Sequence, residues 1–214
     1  MAIARKFIVV DDHPLYRTGI SALVRQELGF QCVGEASSMQ DALSVAAESV
    51  PDFAIIDISL RDQNGLALVS AFKSMYPSLL MLVVSMHDET MYGERAIKAG
   101  ARGYVMKHQP PGELIEAVRQ ILRGGIAVSE NLKTRLFESM ISGMGSDDPL
   151  SVLSPREFEI FSQISEGYSA AEIANSLNLS VKTVNTHQEH IKRKLNLASA
   201  GEVRRFALDW RKDS

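Results

Sequence analysis

Asp11, Asp12 and Asp57 are the residues of this chain best placed to do chemistry together. The first two follow the apolar run Phe7-Ile8-Val9-Val10, and the third ends the run Phe53-Ala54-Ile55-Ile56-Asp57. Short uninterrupted apolar runs read as strands buried on both faces, as in parallel sheets covered by helices. Carboxylates at the carboxyl ends of such strands sit where open α/β sheets place their ligands. If these two strands lie side by side, three carboxylates meet at one edge of the sheet. The competing account is that Asp57 caps the turn after its strand, since Asp favours turns.

Crowded carboxylates repel one another, and a hard divalent cation relieves the repulsion. An all-oxygen ligand set with room for waters suits Mg2+ better than Zn2+. Such an ion is a Lewis acid toward a phosphoryl oxygen, and a carboxylate can act as the nucleophile that becomes an aspartyl phosphate. Ser85, at the end of a fourth apolar run, adds a hydroxyl. Lys107, after a fifth, adds a cation able to contact a phosphoryl oxygen. Taken singly, a turn Ser and a surface Lys mean little. Their shared position at strand ends is what joins them to the carboxylates.

The elements that must hold these residues alternate strictly. Pro14 to Leu28, Ser38 to Val50, Gly65 to Met75, Glu89 to Ala99 and Pro111 to Arg123 carry helical apolar spacing, with Pro14 and Ser38 as start signals and Gly100 and Gly124-Gly125 as stops. Between them lie strands near Phe7, Gln31 to Ala36, Phe53 to Asp57, Leu79 to Ser85 and Gly103 to Met106. This alternation predicts an α/β fold, a doubly wound five-stranded parallel sheet with helices on both faces. Residues 125–148, bounded by Gly124-Gly125 and the run Gly143-Met144-Gly145-Ser146-Asp147-Asp148-Pro149, read as a linker carrying a helix over Asn131 to Ser142. Residues 149–214 read as all-α: a helix opened by Ser154-Pro155-Arg156-Glu157 at capping-box spacing, a short helix Ala170 to Leu177, a tight turn at Asn178-Leu179, a longer helix from Ser180 to Leu195, and a fourth from Glu202 to Trp210. A short helix, a tight turn and a longer helix make a helix-turn-helix unit.

Composition narrows the classes further. With 214 residues and a net charge of -3, the chain gives no global electrostatic case for nucleic acid or membrane. Residues 149–214 hold nine Lys or Arg against eight Asp or Glu, whereas residues 1–130 hold twelve against fifteen, so the tail is the more basic part. The single cysteine, Cys32, reads as a small apolar residue in a reducing compartment. No apolar signal region or membrane-spanning run is present, and the expectation is a cytoplasmic protein with no membrane partner.

The residues carry a resemblance. The first 123 resemble the receiver domain of a two-component response regulator at Asp11-Asp12, Asp57, Gly65, Ser85, the segment Ala99-Gly100-Ala101-Arg102-Gly103-Tyr104, and Lys107. Residues 153–208 resemble the LuxR-type helix-turn-helix domain at Leu153-Ser154-Pro155-Arg156-Glu157, Gly167, Glu172-Ile173-Ala174, Leu177, Ser180-Val181-Lys182-Thr183-Val184, His187 and Lys194-Leu195. The pairing is similar to the NarL/FixJ subfamily. It implies a receiver over residues 1–124 and a DNA-binding domain over 149–214. Asp57 would be the phosphoacceptor for a sensor histidine kinase. Asp12 would be a direct Mg2+ ligand, with Asp11 helping through water and Ser59 lending its carbonyl. Lys107 and Ser85 would contact the phosphoryl group, and Tyr104 would swing inward as Ser85 moves; for Tyr104 a half-buried strand aromatic is the competing account. The sequence departs from the resemblance at Arg61, followed by Asp62, where relatives often have proline. That substitution bears on phosphoryl lifetime or donor access.

In such domains the second helix enters the major groove. Lys182, Thr183, Lys192, Arg193 and Lys194 are then candidate phosphate contacts, and Asn185, Thr186 and Glu189 lie on the face that would meet bases. A basic helix end that merely suits the dipole is the alternative. His187 reads as a packing or capping residue. Val203, Phe206 and Trp210 share a face that the resemblance assigns to a dimer surface and that core packing explains equally well. The implied function is a phosphorylation-switched transcription regulator, not an enzyme, that binds promoter DNA as a homodimer when phosphorylated, with RNA polymerase as a further partner. The alternatives are a phosphorylation-independent DNA-binding regulator and a Mg2+-dependent aspartyl-phosphate phosphatase.

Overall fold

A computed structural model describes residues 4–60, 64–141 and 149–213. They form two compact units, Met1–Glu138 and Ser139–Ser214. The first unit runs β1 (Lys6–Val10), α1 (Pro14–Leu28), β2 (Gln31–Ala36), α2 (Met39–Ser49), β3 (Phe53–Asp57), α3 (Gly65–Met75), β4 (Leu80–Ser85), α4 (Glu89–Ala99), β5 (Gly103–Met106) and α5 (Pro111–Leu122). The helix α6 (Glu130–Ile141) follows. The five strands form one parallel sheet in the order β2-β1-β3-β4-β5, which is the doubly wound α/β architecture.

This order follows from where the apolar surface lies. All five residues of β3 are buried, so it must be covered on both faces and flanked by other strands. The chain leaves β1 in one direction to make β2, returns to the other side for β3, and continues outward. The reversal lies between β1 and β3, where Val10 pairs with Ile56. Asp11 and Asp57 come one residue beyond that pair, at the cleft an open sheet leaves at its switch point. On the other side Asp57 pairs with Val84, and Ser85 pairs with Met106, so Lys107 follows directly. One face of the sheet packs Phe7, Val9, Phe53, Ile55, Leu82 and Val84 against α1 and α5 through residues such as Ile20, Val24, Leu114 and Val118.

Helix ends are fixed by local chemistry. The Ser38 and Asn64 side chains accept from Asp41 N–H and Leu66 N–H, capping α2 and α3. Gly65 opens α3 hard against the strand that carries Asp57: a Cβ there would lie 1.9 Å from the Asp57 carbonyl oxygen. After α5 the chain turns back, and Ala127 bridges to Gly103 beside β5. Tyr104 N–H donates to the Ala127 carbonyl (2.8 Å), and Ala127 N–H donates to Arg102 (2.9 Å). Leu132 of α6 is buried against Gly93 of α4, and Ser129 N–H donates to Glu89 Oε1 (3.0 Å). The stretch read as linker is therefore, as far as residue 138, part of the first compact unit. Ser142 and the run Gly143 to Asp148 lie outside the described residues, as do Arg61 and Asp62.

The second unit begins with a 3-10 turn, Pro149–Val152, followed by α7 (Pro155–Ser165), α8 (Ala170–Ser176), α9 (Val181–Lys194) and α10 (Ala200–Asp213). Capping boxes at Ser154/Glu157 and Ser169/Glu172 start α7 and α8, and Ser180 caps α9. Helix α10 starts two residues before the sequence expectation because Ser199 accepts from Glu202 N–H (3.2 Å) and Glu202 reaches back to Ala198 N–H (2.8 Å). Phe158, Phe161, Ile173, Val184, Ile191 and Val203 form the buried centre.

Gly65→Ala tests the closest approach in the first unit. Its Cβ meets fixed backbone, so the variant should lose about 2 kcal/mol or more of unfolding free energy, read from the urea midpoint. The Gly19→Ala variant, with open space at its Cβ, is the matched control and should not lose stability.

Candidate functional site

The strand ends bring Asp11, Asp12, Asp57, Ser85 and Lys107 to one edge. Lys107 Nζ lies 2.7 Å from Asp11 Oδ2 and 2.7 Å from Asp57 Oδ2, with the Asp57 side chain 1% exposed and the Lys107 side chain 5%. The other Asp57 oxygen accepts from Ser59 N–H (3.2 Å), and Asp11 Oδ1 accepts from His13 N–H (2.8 Å). Asp12 is half-buried, with its Oδ1 2.8 Å from His13 Nδ1. Lys107 also lies over the Tyr16 ring, 4.7 Å from its centre, which adds a cation–π contact to the two ion pairs.

Asp11 and Asp57 face one ammonium, with Asp12 beside them against His13. Burial pushes the Asp57 carboxyl up to about 6; Lys107 opposes the shift and Asp11 adds to it. Burial, with Asp11 and Asp57 nearby, also raises the Tyr16 phenol. Donor atoms of Asp11, Asp12, His13 and Asp57 all lie within 4.8 Å of one another. A mostly carboxylate donor set in a pocket short of positive charge fits a hard divalent cation.

Beside the carboxylates, Ser85 is fully buried and its Oγ accepts from His87 N–H (3.1 Å). His87 Nε2 lies 3.2 Å from Ser59 Oγ, and its ring stacks on Tyr92 at 4.7 Å. Burial holds the His87 imidazole below its ordinary pKa, and Lys107 adds to this, so the ring is neutral at pH 7. Tyr104 is buried with its hydroxyl donating to the His87 carbonyl (2.9 Å). Tyr104 is already buried in this structure, where the resemblance implies a ring that swings inward as Ser85 moves. Sequence reasoning missed His87, because a histidine two residues past a strand has no periodic signature.

A second region lies on α9. Lys182, Asn185, Thr186, Glu189, Arg193 and Lys194 are exposed, while Thr183 and Lys192 are half-buried. Two of the expected phosphate contacts are already engaged: Lys194 Nζ lies 2.7 Å from Glu157 Oε2, and Lys192 pairs with Glu189. Thr183 Oγ1 bonds the Ser180 hydroxyl (2.8 Å) at the helix cap, and Thr186 Oγ1 donates to the Lys182 carbonyl (3.0 Å). Lys182, Asn185 and Arg193 carry no such commitment in their side chains. Val203 is buried, and the Phe206 and Trp210 rings lie 6.0 and 5.6 Å from Phe161, so this face packs onto α7.

Residues 7–119 match the response regulator receiver domain, and residues 151–207 match the bacterial regulatory proteins of the luxR family. The chain belongs to the response regulators. This response regulator is 34% identical over 209 residues to the oxygen regulatory protein NreC of Staphylococcus carnosus, covering 95% of this chain and 96% of that one. It is 35% identical over 210 residues to NreC of Staphylococcus epidermidis. Among solved structures, RcsB from Salmonella enterica serovar Typhimurium, bound to promoter rprA in the presence of phosphomimetic BeF3-, superposes with a TM-score of 0.61 at 25% identity over 96% of this chain and 98% of that one. A LuxR-family response regulator from Aurantimonas sp. SI85-9A1 gives 0.58 at 29%, over 65% of this chain and 99% of that one. The response regulator thus joins a receiver domain to a LuxR-type DNA-binding domain, the architecture of a transcription regulator. Among the described residues, no helix is long and apolar enough to cross a membrane.

The Asp57 shift makes a pH prediction for metal-free buffer. The folded carboxyl holds its proton up to about pH 6, whereas the unfolded one releases it near 4. Between those values the folded state binds more protons, so this contribution is full below the window and is lost as pH rises through it. Asp57→Asn removes the titration. The variant should therefore gain on wild type by up to about 3 kcal/mol between about pH 4 and pH 7, measured by urea unfolding at each pH.

Proposed function

We propose that this response regulator is a phosphoryl-operated DNA-binding switch with Asp57 as its acceptor. The observation that carries the proposal is the Asp57 carboxylate itself, buried at the sheet edge with one oxygen on Ser59 N–H and the other on Lys107 Nζ. An oxygen of that carboxylate attacks the phosphorus of a phosphohistidine on a sensor kinase, the P–N bond breaks, and the imidazole leaves as the new acyl phosphate forms. Asp11, Asp12, Asp57 and the Ser59 carbonyl would hold Mg2+, whose charge, when bound, offsets the charge of the phosphoryl oxygens. Lys107 supplies a fixed cation to the same oxygens.

The new dianion competes with Asp11 for Lys107 and offers acceptors to the Ser85 hydroxyl. Ser85 already holds His87 N–H, and His87 already holds Tyr104, so a shift of Ser85 acts on both. The group transferred is one local charge and the response is a repacking of one strand end, the usual economy of such switches. The output is a homodimer on promoter DNA, with Lys182 and Arg193 gripping phosphates and Asn185, Thr186 and Glu189 toward base edges. RNA polymerase follows as the partner of a promoter-bound regulator.

The test is dimerisation by sedimentation and binding to duplexes selected from a random pool, with and without acetyl phosphate and Mg2+. Wild type should dimerise and bind roughly tenfold tighter with donor, and Asp57→Asn should not respond. Equal binding with and without donor contradicts the switch and leaves a phosphorylation-independent regulator. Sustained donor hydrolysis without a change in binding points to a phosphatase.

A further inference from the structure

Outside the acidic pocket, the described residues contain one more group of side chains with the makings of a metal site: Glu157 on α7 with His187 and His190 on α9. One donor atom from each lies within 4.8 Å of the other two. The histidines are three residues apart on one helix, which places them on one face. Their rings meet edge-on at 6.2 Å between centres. We propose that Glu157, His187 and His190 form a binding site for a borderline divalent transition-metal cation, of which Zn2+ is the representative, independent of the phosphorylation chemistry.

The carboxylate is already set up for the role. Both donors at its Oε2, Lys194 Nζ (2.7 Å) and Ser154 N–H (2.8 Å), leave Oε1 facing the histidines. His190 Nδ1 lies 3.7 Å from that oxygen, too far for a hydrogen bond. The second observation is on His187. Its Nδ1 is buried and has no hydrogen-bond partner, an arrangement that costs free energy unless a ligand accepts the lone pair or the proton. Burial and Arg156 keep the His187 ring below its ordinary pKa, which leaves the neutral form that a metal needs.

The ligand types select the ion. Two imidazoles and a carboxylate suit Zn2+, Ni2+, Co2+ or Cu2+, not Mg2+ or Ca2+. Three protein ligands leave a fourth position for water. Tetrahedral bonds of ~2.0–2.1 Å put donor atoms roughly 3.3 Å apart, so donors that now lie within 4.8 Å of one another must draw in on binding. Lys194 and Arg156 are the nearby cations, and each already has a carboxylate, Glu157 and Glu159 respectively. An ion here ties α7 to α9, the helix that presents Asn185, Thr186 and Glu189.

The test is a zinc chloride titration of the full chain by calorimetry, with Mg2+ in large excess to fill the acidic pocket. Wild type and Asp12→Asn should each take up one Zn2+. The partly exposed His190→Asn and, separately, His187→Gln should bind at least ~10-fold more weakly with unchanged far-UV dichroism. A Co2+ load of wild type should give the intense visible bands of a tetrahedral, nitrogen-ligated ion. No zinc uptake by wild type, uptake lost in Asp12→Asn but kept in both histidine variants, or the pale spectrum of an octahedral oxygen site would each overturn the proposal.

Discussion

The contact on which the first unit turns is the double ion pair of Lys107 with Asp11 and Asp57, each at 2.7 Å. One ammonium cannot neutralise three carboxylates, and removing ionised groups from water is costly unless each is paired. Burial raises the Asp57 carboxyl to about 6 even with Lys107 against it, and the neighbouring Asp11 carboxylate adds to the shift. A cluster of carboxylate donors in that condition fits a hard divalent cation, the basis of the proposed phosphoryl chemistry. The sheet order exists around the same need: only with β1 and β3 adjacent do Asp11 and Asp57 stand close enough to share one lysine.

The strand that supplies Lys107 also reaches the far side of the unit. Tyr104, three residues earlier on β5, points its hydroxyl at His87 while its backbone N–H is held by Ala127. Ser129 and Leu132 then bind Glu89 and pack on Gly93 of α4. Acidic pocket, buried tyrosine and the start of α6 are thus joined by direct contacts within one compact unit. Within that unit, Ser85 accepts from His87 N–H, and the His87 carbonyl accepts from the Tyr104 hydroxyl.

Much of this was legible in the sequence because apolar runs, capping residues and strand-end polar residues are local signals. Four apolar residues followed by Asp point to a buried strand ending at the sheet's carboxyl edge, and the fold places Asp57 there. What was not legible depended on contacts distant in sequence. Ala127 carries no strand signal, since a single bridge beside β5 involves one residue. Lys194 reads as a phosphate contact from its place in a basic helix end, yet Glu157, 37 residues earlier, holds it. The face of Val203, Phe206 and Trp210 was ambiguous because an apolar stripe does not name its partner, and in the fold that partner is α7.

The most direct measurement is the location of the phosphoryl group itself. After incubation with acetyl phosphate and Mg2+, peptide mass mapping at acidic pH and low temperature should place a single acid-anhydride phosphoryl group on Asp57, in the peptide that contains Phe53 to Ile58. A phosphoryl group on Asp11 or Asp12, or an unmodified protein under conditions where the donor persists, would contradict the assignment of the buried, lysine-paired carboxylate as the acceptor.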